Sequence, residues 1–426
     1  MSGSIVELGK GMSYSYVRDI SQDIADALVT ERQDQQEKLL MIASENYASK
    51  AVMEAQGSVL TNRNALGYPD SRLYPGSENI DRVEQLAIDY AKELWNAEHV
   101  NVQPHSGSLA NLSVYLSMLE PSDRILSLDP IDGGHVTHGH DMHISGELYE
   151  VDHYRVDPET GRIDYNDLAD RAEAFEPDLI IAGYSAYPRE IDWKRIKSTA
   201  DAVGAYLLAD IAHTSGLIAA GNLTSPIGIA QFATSSTYKT IRAGRGGFIM
   251  CDEEYADSVD AATFPGSQGG ASMPNIAGKA VGFAEALQPG FEKYASQTIR
   301  NAKALASVLA DRGINVVSGG TDTHIVLVDL RDSHPDVTGK QAEAALEEVG
   351  IIATKATVPG ETRPIESSGI RLGTPPLTTR GFDTDAMERV GDCIVRAIDD
   401  LGRDRKYEDL RRDIGALCAE YPLYDE

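Results

Sequence analysis

Between about residues 81 and 285 the apolar positions switch period repeatedly. DRVEQLAIDYAKELWN spaces them three and four apart, as a helix with one buried face does, and LANLSVYLSML continues in a helical pattern. VNVQP, RILSLD, DLIIAGYSA, AYLLADIAH and GGFIMCD are instead short apolar runs of strand length, separated by helical segments such as WKRIKSTADAVG. This alternation predicts an α/β domain with a mostly parallel sheet covered by helices. After the helical pattern NIAGKAVGFAEALQ the chain changes character. INVVSG, THIVLVDL and GIRLGT read as strands, mixed with helices KQAEAALEEVG and AMERVGDCIVRAIDDLG. The resulting division is an N-terminal arm over 1–35, a large domain over 36–288 and a smaller α+β C-terminal domain over 289–426. In the arm, Ile20, Ile24, Ala27 and Leu28 fall at helical spacing. RNALGYPDSRLYPGSEN, rich in Gly, Pro and Asn, admits no regular element, and a loop of that length inside a compact protein is usually functional.

Composition narrows the class. The chain has 426 residues, 42% of them hydrophobic, enough to bury a core in one large and one smaller domain. No run of about 18 uninterrupted apolar residues is present, so no membrane-spanning helix is expected. The N-terminal MSGSIVELGKGMSYSYVRDISQDI lacks a basic start followed by an apolar block, which predicts a cytoplasmic protein without a secretory leader. Cys251, Cys393 and Cys418 are too few and too scattered for a disulfide framework or a metal site, and read as reduced thiols. The net charge of −28, from 38 basic and 66 acidic residues, repels nucleic-acid phosphates and anionic lipid and excludes both as partners. The acidic residues are spread along the chain, as on the solvated surfaces of salt-adapted proteins. Loss of fold and activity in dilute buffer would follow from that adaptation.

Three local patterns carry chemistry. In PHSGSLANLSVYLSML, the small residues Ser106, Gly107 and Ser108 sit where a strand ends and a helix begins. Free N–H groups at a helix N-terminus bind phosphate, and small residues let the anion approach; a simple helix cap would look the same. In AYLLADIAH, Asp210 closes an apolar strand and His213 follows by three residues. A carboxylate there points into the crevice where α/β sheets bind ligands, although it can also merely cap the next turn. In ATSSTYKTIRAGRGGFIM, Lys239 lies between the hydroxyl-rich Ser235, Ser236 and Thr237 and the Gly-rich Arg245–Gly246–Gly247. The hydroxyls can take a phosphate, and a buried lysine of lowered pKa can condense with an aldehyde. Lys239 follows Asp210 by 29 positions. Together the three patterns fit the large domain of pyridoxal-phosphate enzymes of the aspartate-aminotransferase type. Arg371, in SSGIRLGTPPLTTRGF, is placed to grip a carboxylate through two parallel hydrogen bonds.

From about residue 20 to its end the chain resembles serine hydroxymethyltransferase. The matching runs include MIASENYAS, MEAQGSVLTN, NVQPHSGSLANL, GYSAYP, ADIAH, STYKT, AGRGG, FPGSQGG, VSGGTDTH and GIRLGTPPLTTRGF. The resemblance implies that pyridoxal 5′-phosphate is held as a Schiff base on Lys239, with Asp210 on the pyridine nitrogen and His135 stacked on the ring. It implies a phosphate site of Ser106, Gly107 and Ser108, joined by Gly269 and Gly270 of a neighbouring subunit. Ser185 and His213 would meet the phenolate side, while Ser44, the neighbour's Tyr74 and Arg371 would receive the carboxylate of a small amino acid. A homodimer or dimer of dimers with shared active sites follows, and tetrahydrofolate is the family's co-substrate.

The chain departs from the family where folate and the β-hydroxyl are handled. The loop usually reading YAEGYPG is Asn64–Ala65–Leu66–Gly67–Tyr68–Pro69–Asp70, so the acid/base Glu is replaced by Leu66, which carries no exchangeable proton. The His before the lysine is Tyr238, the first His of HGGH is Asp132, and an Asn that contacts folate is Ala356. Asp132 is the replacement carboxylate these changes suggest; a turn-capping role is its alternative. Three activities compete: serine–glycine interconversion with folate, folate-independent cleavage or transfer at Cα of a related amino acid, and non-catalytic binding of the cofactor.

Overall fold

The computed structural model describes residues 14–361, 365–401 and 407–424. Seven strands form the main sheet: β1 (His99–Asn101), β2 (Arg124–Leu128), β3 (Glu150–Tyr154), β4 (Leu179–Gly183), β5 (Tyr206–Asp210), β6 (Phe232–Ser236) and β7 (Gly247–Cys251). Their spatial order is β1-β7-β6-β5-β4-β2-β3. Only β7 runs antiparallel to its neighbours, β6 and β1, so the mostly parallel sheet read from the sequence is what forms.

Parity along the strands explains why their apolar runs are continuous. Leu126, Ile180, Leu207, Ala209, Ala233, Phe248 and Met250 join one core, together with helices α1 (Glu78–Trp95) and α3 (Met273–Ala286). The alternate residues Ile125, Leu179, Ile181, Leu208, Phe232 and Ile249 join a second core with Ala110, Val114 and Tyr115 of α2 (Gly107–Met118). A strand covered by helices on both faces has no solvent side to mark with polar residues.

A second sheet follows, built from β8 (Asn315–Val316), β9 (Ile325–Asp329), β10 (Thr354–Ala356) and β11 (Gly369–Gly373) in the order β8-β9-β11-β10. Helix α4 (Pro289–Asp311) joins the two cores: Phe291, Tyr294 and Ala295 pack into the first, and Ala302, Leu305 and Leu309 into that of the second sheet. Helix α5 (Thr384–Asp399) packs along α4.

Two regions differ from the sequence reading. The Gly/Pro/Asn-rich loop carries a minimal hairpin, with Gly67–Tyr68 paired to Ser71–Arg72. The arm is helical over Ser15–Ile20 and Gln22–Glu37, interrupted at the extended Ser21, but its apolar stripe is not covered by the described residues. Ile20 is 89% exposed and Ile24 56%. Among the described residues, no helix is long and apolar enough to cross a membrane.

Candidate active site

The parallel strands deliver their C-terminal ends to one edge of the sheet, and the candidate residues gather there. After β1 the chain enters α2 through Ser106, whose hydroxyl caps the helix by accepting from Leu109 N at 3.2 Å. The amides of Gly107 and Ser108 precede the first intrahelical bond, Ala110 N to Ser106 O. A Cβ on Gly107 would meet the backbone N of Ser236, at the end of β6, at 3.4 Å. Of the three hydroxyls before Lys239, two are already engaged: Ser235 Oγ donates to Ser236 O and Thr237 Oγ1 to Gly244 O. Ser236 Oγ, beside the open helix terminus, is buried with no hydrogen-bond partner.

Asp210 ends β5 and is gripped from three directions. Asn111 Nδ2 and His138 Nε2 each donate to Oδ2 at 2.9 Å, and Ala212 N donates to Oδ1 at 3.0 Å. Burial opposes its charge, but the hydrogen bonds from His138 and Asn111 hold the carboxyl below the usual acid range. His138 and Asn111 were missed from sequence. The repeat of His at three-residue spacing in GGHVTHG was the available signal for the former. His135 lies beside this group, its ring centroid 5.6 Å from that of His138 and its Nδ1 2.7 Å from Thr137 Oγ1. Burial foremost, with the neighbouring His138, lowers its pKa to about 4, so the ring is neutral and apolar enough to lie against another ring.

Lys239 is 6% exposed, in a loop braced on several sides. Asn46 Nδ2 donates to its carbonyl at 2.9 Å, Thr240 Oγ1 donates to His213 O at 3.0 Å, and Ala243 N closes the loop onto Thr237 O. Burial, with the positive charges of Arg371 and Arg245, pushes the amine down to about 8, while Asp210 acts in the opposite direction. Tyr238 points its ring under the Arg245 guanidinium, 4.3 Å from the centroid. His213 is sandwiched between Tyr184 and His324, with His324 nearly parallel to it at 5.5 Å. His324 Nε2 lies 3.2 Å from Ala43 O, next to Ser44.

Arg371 occupies the middle of β11, opposite Leu327 and Thr354. It reaches across to the large sheet, where Nη1 donates to Ser185 O at 2.7 Å and to Ser185 Oγ at 2.9 Å. Its Nε is buried without a partner, and no carboxylate among the described residues pairs with the guanidinium. Ser185 is placed by Gly133, whose carbonyl accepts from Ser185 N at 2.7 Å. Gly133 adopts φ 102° and a Cβ there would strike the Ala186 backbone at 3.0 Å, so only glycine fits.

Other expected residues stand apart. Asp132 is buried in a short turn, its carboxylate taken by Arg155 Nε at 2.5 Å and Val156 N at 3.2 Å. That geometry departs from the replacement proton carrier read from the sequence: the carboxylate is spent on holding Arg155 and the start of the next hairpin. Tyr74 is 49% exposed and Gly269 lies open on the surface, with Gly270 against Asn64 and Leu66.

The sequence model of the family described as serine hydroxymethyltransferase matches residues 17–394. A serine hydroxymethyltransferase of Halobacterium salinarum is 59% identical over 415 residues, which cover 97% of this chain and 100% of that protein. Those of Natronomonas pharaonis and Haloarcula marismortui are each 60% identical, again over 97% of this chain, covering 98% and 100% of their own lengths.

Proposed function

The chain belongs to the serine hydroxymethyltransferase family, and on that premise we propose that it is a pyridoxal-phosphate-dependent transferase that makes and breaks the Cα–Cβ bond of serine or a related β-hydroxy amino acid. One observation carries this reading: a buried lysine of lowered pKa and an anchored carboxylate share one crevice with the half-buried Arg371, with which no carboxylate among the described residues pairs.

The residues fit the cofactor. The unpartnered Ser236 Oγ beside the free amides of Gly107 and Ser108 suits a phosphate, with Ser106 capping the same helix. Asp210, kept anionic by its donors, suits a protonated pyridine nitrogen; neutral His135 suits the ring face. When bound, the cofactor withdraws electrons from the bonds at the amino acid's Cα. Lys239 holds the cofactor covalently through its uncharged amine, and its burial excludes water. Arg371 receives the substrate carboxylate through its unpartnered Nε and the Nη2 that only a long 3.5 Å contact to Thr354 Oγ1 engages, aided by Ser44. Fixing that carboxylate would fix which Cα bond the cofactor's electron withdrawal weakens. Ser185 and His213 hold protons on the cofactor's phenolate side.

A second copy of the chain supplies Tyr74, Gly269 and Gly270 in this reading. The exposed apolar side chains Val59, Leu73 and Tyr74 on and beside the same loop support such packing. A cytoplasmic location accords with three free cysteines.

Leu66 favours a second reading, cleavage with aldehyde release and no folate, because this side chain cannot move a proton at the β-hydroxyl or at folate. Purely non-catalytic cofactor binding is disfavoured by Arg371, a half-buried guanidinium with no carboxylate partner among the described residues, which suits a substrate carboxylate. The purified protein given serine and tetrahydrofolate, then threonine or phenylserine without folate, separates the three. Folate-dependent glycine formation supports the first reading, and folate-free aldehyde the second. Cofactor binding with no turnover of either overturns both.

A further inference from the structure

Lys279 lies on α3, is 1% exposed and has no part in the chemistry above. Its Nζ donates to three backbone carbonyls: Val102 at 2.6 Å, Pro104 at 2.9 Å and Gly247 at 2.8 Å. These belong to the two segments that build the phosphate cup, the exit of β1 and the entry of β7. Burial pushes its pKa down to about 7, with Glu84 supporting the charge. The geometry decides the form: three acceptors need the three N–H groups of an ammonium, since a neutral amine would turn its lone pair on one carbonyl.

The glycine pair of AGRGG is explained by the same contact. A Cβ on Gly246 would lie 2.2 Å from Lys279 Cε and 2.8 Å from its Nζ. A Cβ on Gly247 would lie 2.2 Å from Ser106 O. The backbone therefore runs bare between the lysine on one side and the helix cap on the other. Behind Lys279 the network continues: Gln103 Nε2 bridges Glu84 Oε1 at 2.7 Å and Gly67 O at 3.0 Å, and Arg72 pairs with Glu84 and Gly67 O. The loop that holds Leu66 and the cup are thus tied to one buried cluster.

We propose that Lys279 is the positioning residue of the phosphate cup, its ammonium clamping the β1 and β7 segments at a fixed spacing and setting a positive charge behind the anion. This rests on the cofactor reading above and goes beyond it by assigning a residue that does not touch the ligand.

The test is the difference in binding between pyridoxal phosphate and pyridoxal, which lacks the phosphate, measured on cofactor-stripped protein by visible absorbance and by borohydride trapping at Lys239. Lys279→Met is expected to weaken pyridoxal phosphate about tenfold or more while changing pyridoxal less than about twofold. Gly246→Ala, which keeps the lysine but displaces it, is expected to act alike, and it decides the matter where Lys279→Met does not fold. Parallel weakening of both ligands, or no change in either, overturns the proposal. A wild-type protein that binds pyridoxal phosphate with no label on Lys239 overturns instead the reading on which it rests.

Discussion

His138 Nε2 donates to Asp210 Oδ2 at 2.9 Å from a fully buried ring whose Nδ1 has no partner. The pair therefore fixes a tautomer, with the proton on Nε2, and leaves Asp210 an acceptor that stays charged.

Replacing His138 with Leu removes one of three donors to a buried carboxylate. A loss of about 1–3 kcal/mol is expected, read as a lower Tm at neutral pH. The folded pKa of Asp210 lies below its unfolded value, so its stabilisation is held above about pH 4 and lost on acidification. In the variant that loss is expected at higher pH, as an acid-unfolding midpoint shifted upward.

Lys239 reacts through its neutral form. With a pKa lowered to about 8, roughly a tenth of it is uncharged at pH 7 and most of it above pH 9. The rate of cofactor capture by stripped protein is expected to climb with pH and level off above that midpoint. A rate still rising steeply beyond pH 10 would match an ordinary exposed lysine.

Arg371 is half-buried, and no acid among the described residues compensates its charge. Arg371→Leu is expected to abolish amino-acid binding while leaving the cofactor bound, and to raise the stability of the substrate-free protein by about 1–2 kcal/mol. Calorimetry with and without glycine checks both parts: the wild type gains stability from the amino acid, and the variant does not.

Asp132 donates nothing to turnover if its carboxylate serves Arg155. Asp132→Asn is expected to lower stability by about 1–2 kcal/mol, tempered because Arg155 is 42% exposed and screened by solvent. Its kcat should match the wild type within about twofold; a drop of about a hundredfold or more would return Asp132 to proton transfer.

Leu66→Glu places a carboxylate where the family's proton carrier stands. Folate-dependent glycine formation from serine is expected to rise, by about a hundredfold if proton transfer limits it. Unchanged turnover would show that another group already moves the proton.

Much of the site was legible because its signals are local. A strand-end Asp, a run of small residues opening a helix and a lysine before a glycine pair are each set within a few positions by strand length and helix capping. Five apolar runs likewise announced β1, β2, β4, β5 and β7, since a strand buried on both faces needs continuous apolar side chains, whereas β3 and β6 were not read from the sequence. The arm was legible in period but not in burial: Ile20 and Ile24 keep helical spacing while none of the described residues covers them.

By itself the sequence determined the alternating elements, the small residues Ser106–Ser108 where a helix opens, Asp210 at a strand end and Lys239 between the hydroxyl-rich run and the Gly-rich turn. Tertiary structure alone decided who holds whom. Strand order brings His138 to Asp210 across 72 positions and Arg371 to Ser185 across 186, ties Asp132 to Arg155, and sets Lys279 against the carbonyls of Val102, Pro104 and Gly247. The physical reason is that a buried polar group must find its partner within about 3 Å, and which partner stands there depends on sheet order and register, quantities that spacing along the chain does not encode.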